Sequence, residues 1–268
     1  MFLIFWALPL PSLAANKTFH FQNLEITSKV HDSNQIQEIA EETNEILQAH
    51  NAFFSDQGIT ISDITPLKIM LLSDQKEFET LRDQGGNRSE SPRGYYTHSE
   101  HQIVSWEPLQ NGVSSELRRI LIHETLHHQL HSLFGHDLPL WLDEGLAVLF
   151  ENSRPIAGMK LDPNVLHRAA LSQVKAALRE NQTVSLRELL SMDRNEFYLK
   201  ENNQRTYSHS WSFVHFLIND QVQKNRNTFL EVLNALQNQQ DPQETLITAS
   251  GEDLSTLETK WLQYIQKL

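Results

Sequence analysis

The spacing of apolar and polar positions changes character along this chain. Between residues 18 and 29, Phe19, Phe21, Leu24 and Ile26 alternate with polar residues in imperfect phase, which predicts a strand. Over residues 35–54 the period lengthens: Ile36, Ile39, Ala40, Ile46 and Leu47 fall on one helical stripe. Residues 66–72 predict a buried strand, and residues 74–82 a short helix capped by Ser73. Residues 84–93, with paired glycines, serines and a proline, read as a loop. Two β-rich runs, 94–98 and 102–106, flank Ser99-Glu100-His101 and predict a hairpin.

The clearest period covers residues 115–134, where Leu117, Ile120, Leu121, Leu126, Leu130 and Leu133 recur close to every 3.6 residues. Pro139 precedes a second apolar helix that opens with Trp141-Leu142-Asp143-Glu144-Gly145. Beyond it the pattern is helical throughout, over 164–180, 185–190, 207–222, 228–237, 243–249 and 255–267. Mixed elements followed by helices alone predict an α+β fold.

The helix at 115–134 carries His123-Glu124-Thr125-Leu126-His127. Residues four apart share a helix face, so His123 and His127 can aim two imidazoles at one metal ion, with Glu124 in reach of a water beside it. Glu144 follows His127 after sixteen intervening residues and offers a third ligand. Two neutral nitrogens, one carboxylate and an open fourth position make a hydrolytic zinc site. Asp143, Glu151 and His136 are the rival third ligands. His128 and His131 read as solvated helix residues. A third histidine in the metzincin manner is excluded, because positions 130 and 133 are both leucine. In such a site Glu124 takes a proton from the attacking water and passes it to the leaving amine.

The pair HETLH and WLDEGLA resembles the gluzincins, zinc peptidases whose third ligand is a glutamate on the next helix, and among them the small bacterial peptidase-MA-like proteins. The resemblance covers roughly residues 66–218. It implies a thermolysin- or aminopeptidase-like zincin fold, one catalytic zinc ion and a peptide or protein substrate. The gap between the motifs is two residues shorter than in the aminopeptidases, so the connecting loop differs. Those enzymes place an oxyanion-stabilising tyrosine some sixty residues after the glutamate. Tyr207 stands sixty-three residues after Glu144, although Ser208-His209-Ser210 departs from the family's Tyr-x-Lys-Gly. His209 is the alternative donor, since thermolysin-like enzymes use a histidine. The family's cleft-edge strand lies about thirty residues before the first zinc histidine, which points to Gly94, Tyr95 and Tyr96 as a strand that pairs with extended substrate.

A chain of 268 residues holds one catalytic unit in two lobes, expected as 16–136 with the HExxH helix and 137–268 with the glutamate ligand. The net charge of -12 argues against a nucleic-acid partner. With no cysteine in the chain, only histidine and carboxylate ligands are available. Residues 2–8 are apolar, and Ser12-Leu13-Ala14 fits a small-x-small cleavage site, so residues 1–15 read as a signal peptide. The first basic residue is Lys17, so a basic leader region is missing. The expectation is an exported, periplasmic or extracellular protein without a stable membrane span after signal removal. The rival functions are another zinc hydrolase on the same site and a non-catalytic zinc- or peptide-binding module.

Overall fold

The structure is a computed structural model that describes residues 16–59, 65–84, 93–106, 113–135, 138–153, 161–199, 203–219 and 223–268. The expected signal segment and His136 lie outside the described residues.

Among the described residues, five short strands form one mixed sheet in the order β1-β2-β3-β5-β4. β1 (Lys17–Phe21) and β2 (Leu24–Ser28) pair antiparallel. The single strand expected over residues 18–29 is therefore two strands. The imperfect phase between Phe21 and Leu24 marks a tight turn at Gln22-Asn23, where the chain reverses. β3 (Leu67–Leu71) lies parallel to both β2 and β5 (Gln102–Ser105). β4 (Gly94–Thr97) closes the expected hairpin and forms the outer strand.

Side chains alternate across a strand, and here each face has its own cover. Tyr96 and Ile103 belong to the main core, whereas Tyr95 and Val104 turn the other way and pack with Phe78 of α2 (Gln75–Gln84). The cap of α2 is Asp74, whose carboxylate accepts from the Glu77 amide at 2.9 Å; the expected cap Ser73 bonds the Glu77 side chain instead. On the main face lie α1 (Ser33–Asp56), started by a reciprocal capping box between Asp32 and Gln35, and α3 (Ser115–Phe134), capped by Ser114.

The next helix, α4 (Leu140–Phe150), is buried at every position from Trp141 to Phe150. A helix apolar on nearly all sides belongs inside the core. It packs most extensively on α8 (Asn203–Asn219). Between them come α5 (Arg168–Glu180), α6 (Leu186–Ser191) and the one-turn α7 (Arg194–Phe197), for which the sequence pattern has no counterpart. The chain ends in α9 (Gln223–Gln237), α10 (Pro242–Ser250) and α11 (Leu254–Lys267). α8 begins one turn earlier than the expected start at 207. A single apolar cluster runs from Leu24 of β2 to Ile265 of α11. No helix of the described residues is long and apolar enough to cross a membrane.

The α4–α8 contact depends on Gly145. A Cβ there would lie 2.6 Å from Val214 Cγ2 and 2.7 Å from the Ser210 carbonyl oxygen. The second neighbour is backbone and cannot swing aside. Gly145→Ala is therefore expected to lower stability by about 1–3 kcal/mol, the usual cost of overpacking. Denaturant unfolding of the metal-free protein measures this, and an unchanged midpoint would mean that the two helices separate at little cost.

Candidate metal centre

α3 and α4 cross with their polar residues inward, and each histidine of the HExxH motif meets two carboxylates there. His123 Nδ1 donates to Glu151 Oε2 at 3.0 Å, and His127 Nδ1 donates to Asp143 Oδ1 at 2.7 Å. These bonds fix the tautomer and leave Nε2 of both rings as acceptors. Both Nε2 atoms face the same oxygen: Glu144 Oε2 lies 3.4 Å from His123 Nε2 and 3.6 Å from His127 Nε2. One ligand atom from each of the three residues falls within a common 4.8 Å.

The other oxygen of Glu144 is well held. Tyr198 donates its hydroxyl to Oε1 at 2.6 Å and Tyr207 does so at 3.2 Å. Oε2, by contrast, is buried without a hydrogen-bond partner among the described residues. A buried carboxylate oxygen left unpaired is costly unless a cation meets it. Ligands bound to a tetrahedral ion at about 2.0–2.2 Å stand roughly 3.3–3.6 Å apart, whereas hydrogen bonds bring N and O to about 2.9 Å. The spacing at Glu144 Oε2 is that of ligands around an ion, so the residues present fit a metal.

The electrostatics point the same way. Burial disfavours a charged His127, yet Asp143 and Glu144 outweigh it and push the ring up to about 9. His123 is likewise opposed by burial but raised well above the usual histidine range by Glu144 and Glu151. Burial pushes Glu151 up, but His123 and His167 hold it well below the carboxylate range. The pocket thus asks for positive charge, which protons supply when no ion does. Glu124, buried beside the two rings, is raised above the usual range by desolvation.

The centre opens into a cavity of about 450 Å³. His123, Glu124, His127, Glu144, Glu151 and Tyr207 are on its wall. His209 is not. Its Nδ1 donates to the Arg205 carbonyl at 2.7 Å and its ring lies against Trp261, on the inner side of α8. Gly94, Tyr95 and Tyr96 do not line the cavity either; Gly94 packs against Ile120, whose side chain does. Asp143 and Glu151, weighed from sequence as rival ligands, each bond Nδ1 of one of the two imidazoles. His128 and His131 correct the expectation of solvated residues. They are 0 % and 5 % exposed, because the sheet, α1 and α4 enclose α3 on nearly every side.

Tyr198 escaped the sequence reading, since a tyrosine at the end of a one-turn helix leaves no periodic trace. Glu151 did leave a signal. It stands seven residues after Glu144 and so returns to the same helix face.

Paired histidines on one helix and a carboxylate on the next form a group that could hold a metal ion within a mixed α+β fold. The family model of the Peptidase MA superfamily matches residues 110–267, more than half of the chain, and the chain belongs to that superfamily. The match begins just before α3 and includes every helix after it. No curated protein matches the chain significantly. The superfamily is typically zinc-dependent and implies a metallopeptidase-type function.

Glu144→Ala is expected to lose one equivalent of zinc relative to the wild type in elemental analysis. Glu151→Gln should keep that equivalent with affinity about 10–100-fold weaker, the usual effect of removing a residue that orients a ligand. A Glu144→Ala protein that binds as much zinc as the wild type would move the ion elsewhere.

Proposed function

We propose that this protein is an exported zinc-dependent metallopeptidase of gluzincin type that hydrolyses peptide bonds in the cavity lined by α3, α4, α5 and α8. The observation that carries the reading is the orphaned Glu144 Oε2, which faces two imidazole nitrogens in a cavity that Glu124 also lines. His123, His127 and Glu144 would hold the ion. When bound, zinc supplies Lewis-acid polarisation of a carbonyl and acidifies water.

The protein's own groups then divide the work. Glu124 is a stronger base than an exposed glutamate because burial raises its pKa. It accepts the proton of the attacking water and delivers it to the leaving amine. The oxyanion that develops on the carbonyl needs a donor, and Tyr207 is positioned on the cavity wall to be one. Its hydroxyl can leave Glu144 without orphaning Oε1, since Tyr198 holds that oxygen at the shorter distance of 2.6 Å. Burial and the adjacent Glu144 raise Tyr207 well above the usual tyrosine range, so it stays protonated and able to donate.

The segments 16–136 and 137–268 act as one catalytic unit in this reading, the first supplying Glu124 and two ligands, the second Glu144 and Tyr207. β4 stands at one end of the strand order, and Gly94, Tyr95 and Tyr96 are the residues proposed to meet an extended peptide. Export rests on the apolar run at residues 2–8 and the small-residue site after it.

Glu124→Gln tests the reading. The variant is expected to keep its zinc and lose roughly 10²–10⁴-fold in kcat on a peptide library. Unchanged turnover would remove Glu124 as the base. A wild type that holds zinc and cleaves no peptide would favour another zinc hydrolase or a binding module.

A further inference from the structure

A third histidine of α3 repeats the arrangement seen at the candidate centre. His131 lies one turn beyond His127, so His123, His127 and His131 follow each other at four-residue spacing along one face. Gly135, at φ +85°, ends α3, and its carbonyl oxygen lies 2.9 Å from His131 Nδ1. A carbonyl only accepts, so Nδ1 carries a proton and Nε2 is the ring atom turned to the interior. His123 and His127 are held in the same way through Nδ1. His131 Nε2 then faces a carboxylate oxygen, Asp143 Oδ2, at 3.6 Å. A bare lone pair turned towards an anion is repulsive, and a proton on Nε2 or a metal cation between the two atoms relieves it.

His98 completes the group from the turn after β4. Its ring centroid is 3.7 Å from that of His131, with the planes at 74°. Ordinary aromatic pairs keep their centroids roughly 4.5–7 Å apart. Ligand atoms of His98, His131 and Asp143 all lie within 4.8 Å of one another. The N···O spacing of 3.6 Å between His131 and Asp143 equals that between His127 and Glu144. It again exceeds the roughly 2.9 Å of a hydrogen bond and suits two ligands of one ion.

We propose that His98, His131 and Asp143 form a second metal site, for zinc or a divalent transition ion of similar ligand preference. Two imidazoles and one carboxylate suit such an ion better than calcium or magnesium, which take oxygen ligands. His98 is only half-buried, so the ion enters there and keeps water as its fourth ligand. Asp143 serves both sites: Oδ1 orients His127, and Oδ2 ligates the second ion. The second ion thereby pins the β4–β5 turn to α3 and α4, and fixes the carboxylate that holds a ligand of the first.

The full chain, stripped of metal with a chelator, is titrated with Zn²⁺ against a chromophoric competitor. The wild type is expected to take up two equivalents, His98→Ala one, Glu144→Ala one, and the double variant none. Retention of the wild-type count by His98→Ala overturns the second site. A wild type with one equivalent, lost in His98→Ala and kept in Glu144→Ala, supports the second site while removing the first. His98→Cys with Co²⁺ provides an independent readout. Direct ligation gives a thiolate-to-cobalt charge-transfer band, and with no cysteine elsewhere in the chain that band can arise only at position 98. The band supports the site, and its absence overturns the site, whether or not His98→Ala folds.

Discussion

Three carboxylates buried along one helix set the terms for the rest of the molecule. Asp143, Glu144 and Glu151 all sit on or at the end of α4, each less than a tenth exposed. Burying one unpaired ion costs several kcal/mol, so three on one helix are sustained only by a matched set of cations and donors. α3 supplies that set through His123, His127 and His131, spaced so that each turn of one helix answers a carboxylate of the other. Arg119 and His167 complete the shell at Glu151, at 3.3 and 2.8 Å. Each histidine gives one nitrogen to a fixed acceptor and keeps the other for the interior. The arrangement leaves one oxygen of Glu144 without a hydrogen-bond partner among the described residues, and that oxygen is where the proposed ion would bind.

This charge pattern can form only where apolar packing holds the helices close. Gly145 lets α4 approach α8 until Tyr207 reaches the carboxylate next to that glycine in the chain. On the far side, Gly94 lets β4 approach α3, and Ile120 fills the contact while also lining the cavity. Glu124, the proposed base, lines the same cavity as Ile120 and Tyr207. The same continuous core therefore sets the distances of the site, and burial strengthens the electrostatic contribution of each pair.

Much of this was legible in the sequence, for a physical reason. α3 and the β4–β5 hairpin follow from periodicity, because each buries one stripe or alternates across one sheet. The HExxH spacing and the downstream glutamate are read from the same helical geometry. What periodicity could not reveal were features without a period. The turn at Gln22-Asn23 joined two short strands that read as one, and the single turn of α7 is too short to show a stripe. The burial of His128 and His131 was hidden because the leucine stripe identifies one core-facing side, whereas α3 is enclosed on several. Tyr96 donates or accepts at His128 Nδ1 over 3.2 Å, and His128 Nε2 meets the Thr65 carbonyl at 3.0 Å, partners that only the folded sheet brings there. Asp143 and Glu151 appeared as competing ligands because composition does not tell a carboxylate that faces an imidazole Nε2 from one that bonds its Nδ1.

Anomalous diffraction at the zinc edge, from crystals of the zinc-loaded wild type, addresses the central claim most directly. The account predicts a peak within bonding distance of His123 Nε2, His127 Nε2 and Glu144 Oε2, at about 2.0–2.2 Å from each. Fully loaded crystals with no anomalous density among those three atoms would contradict it.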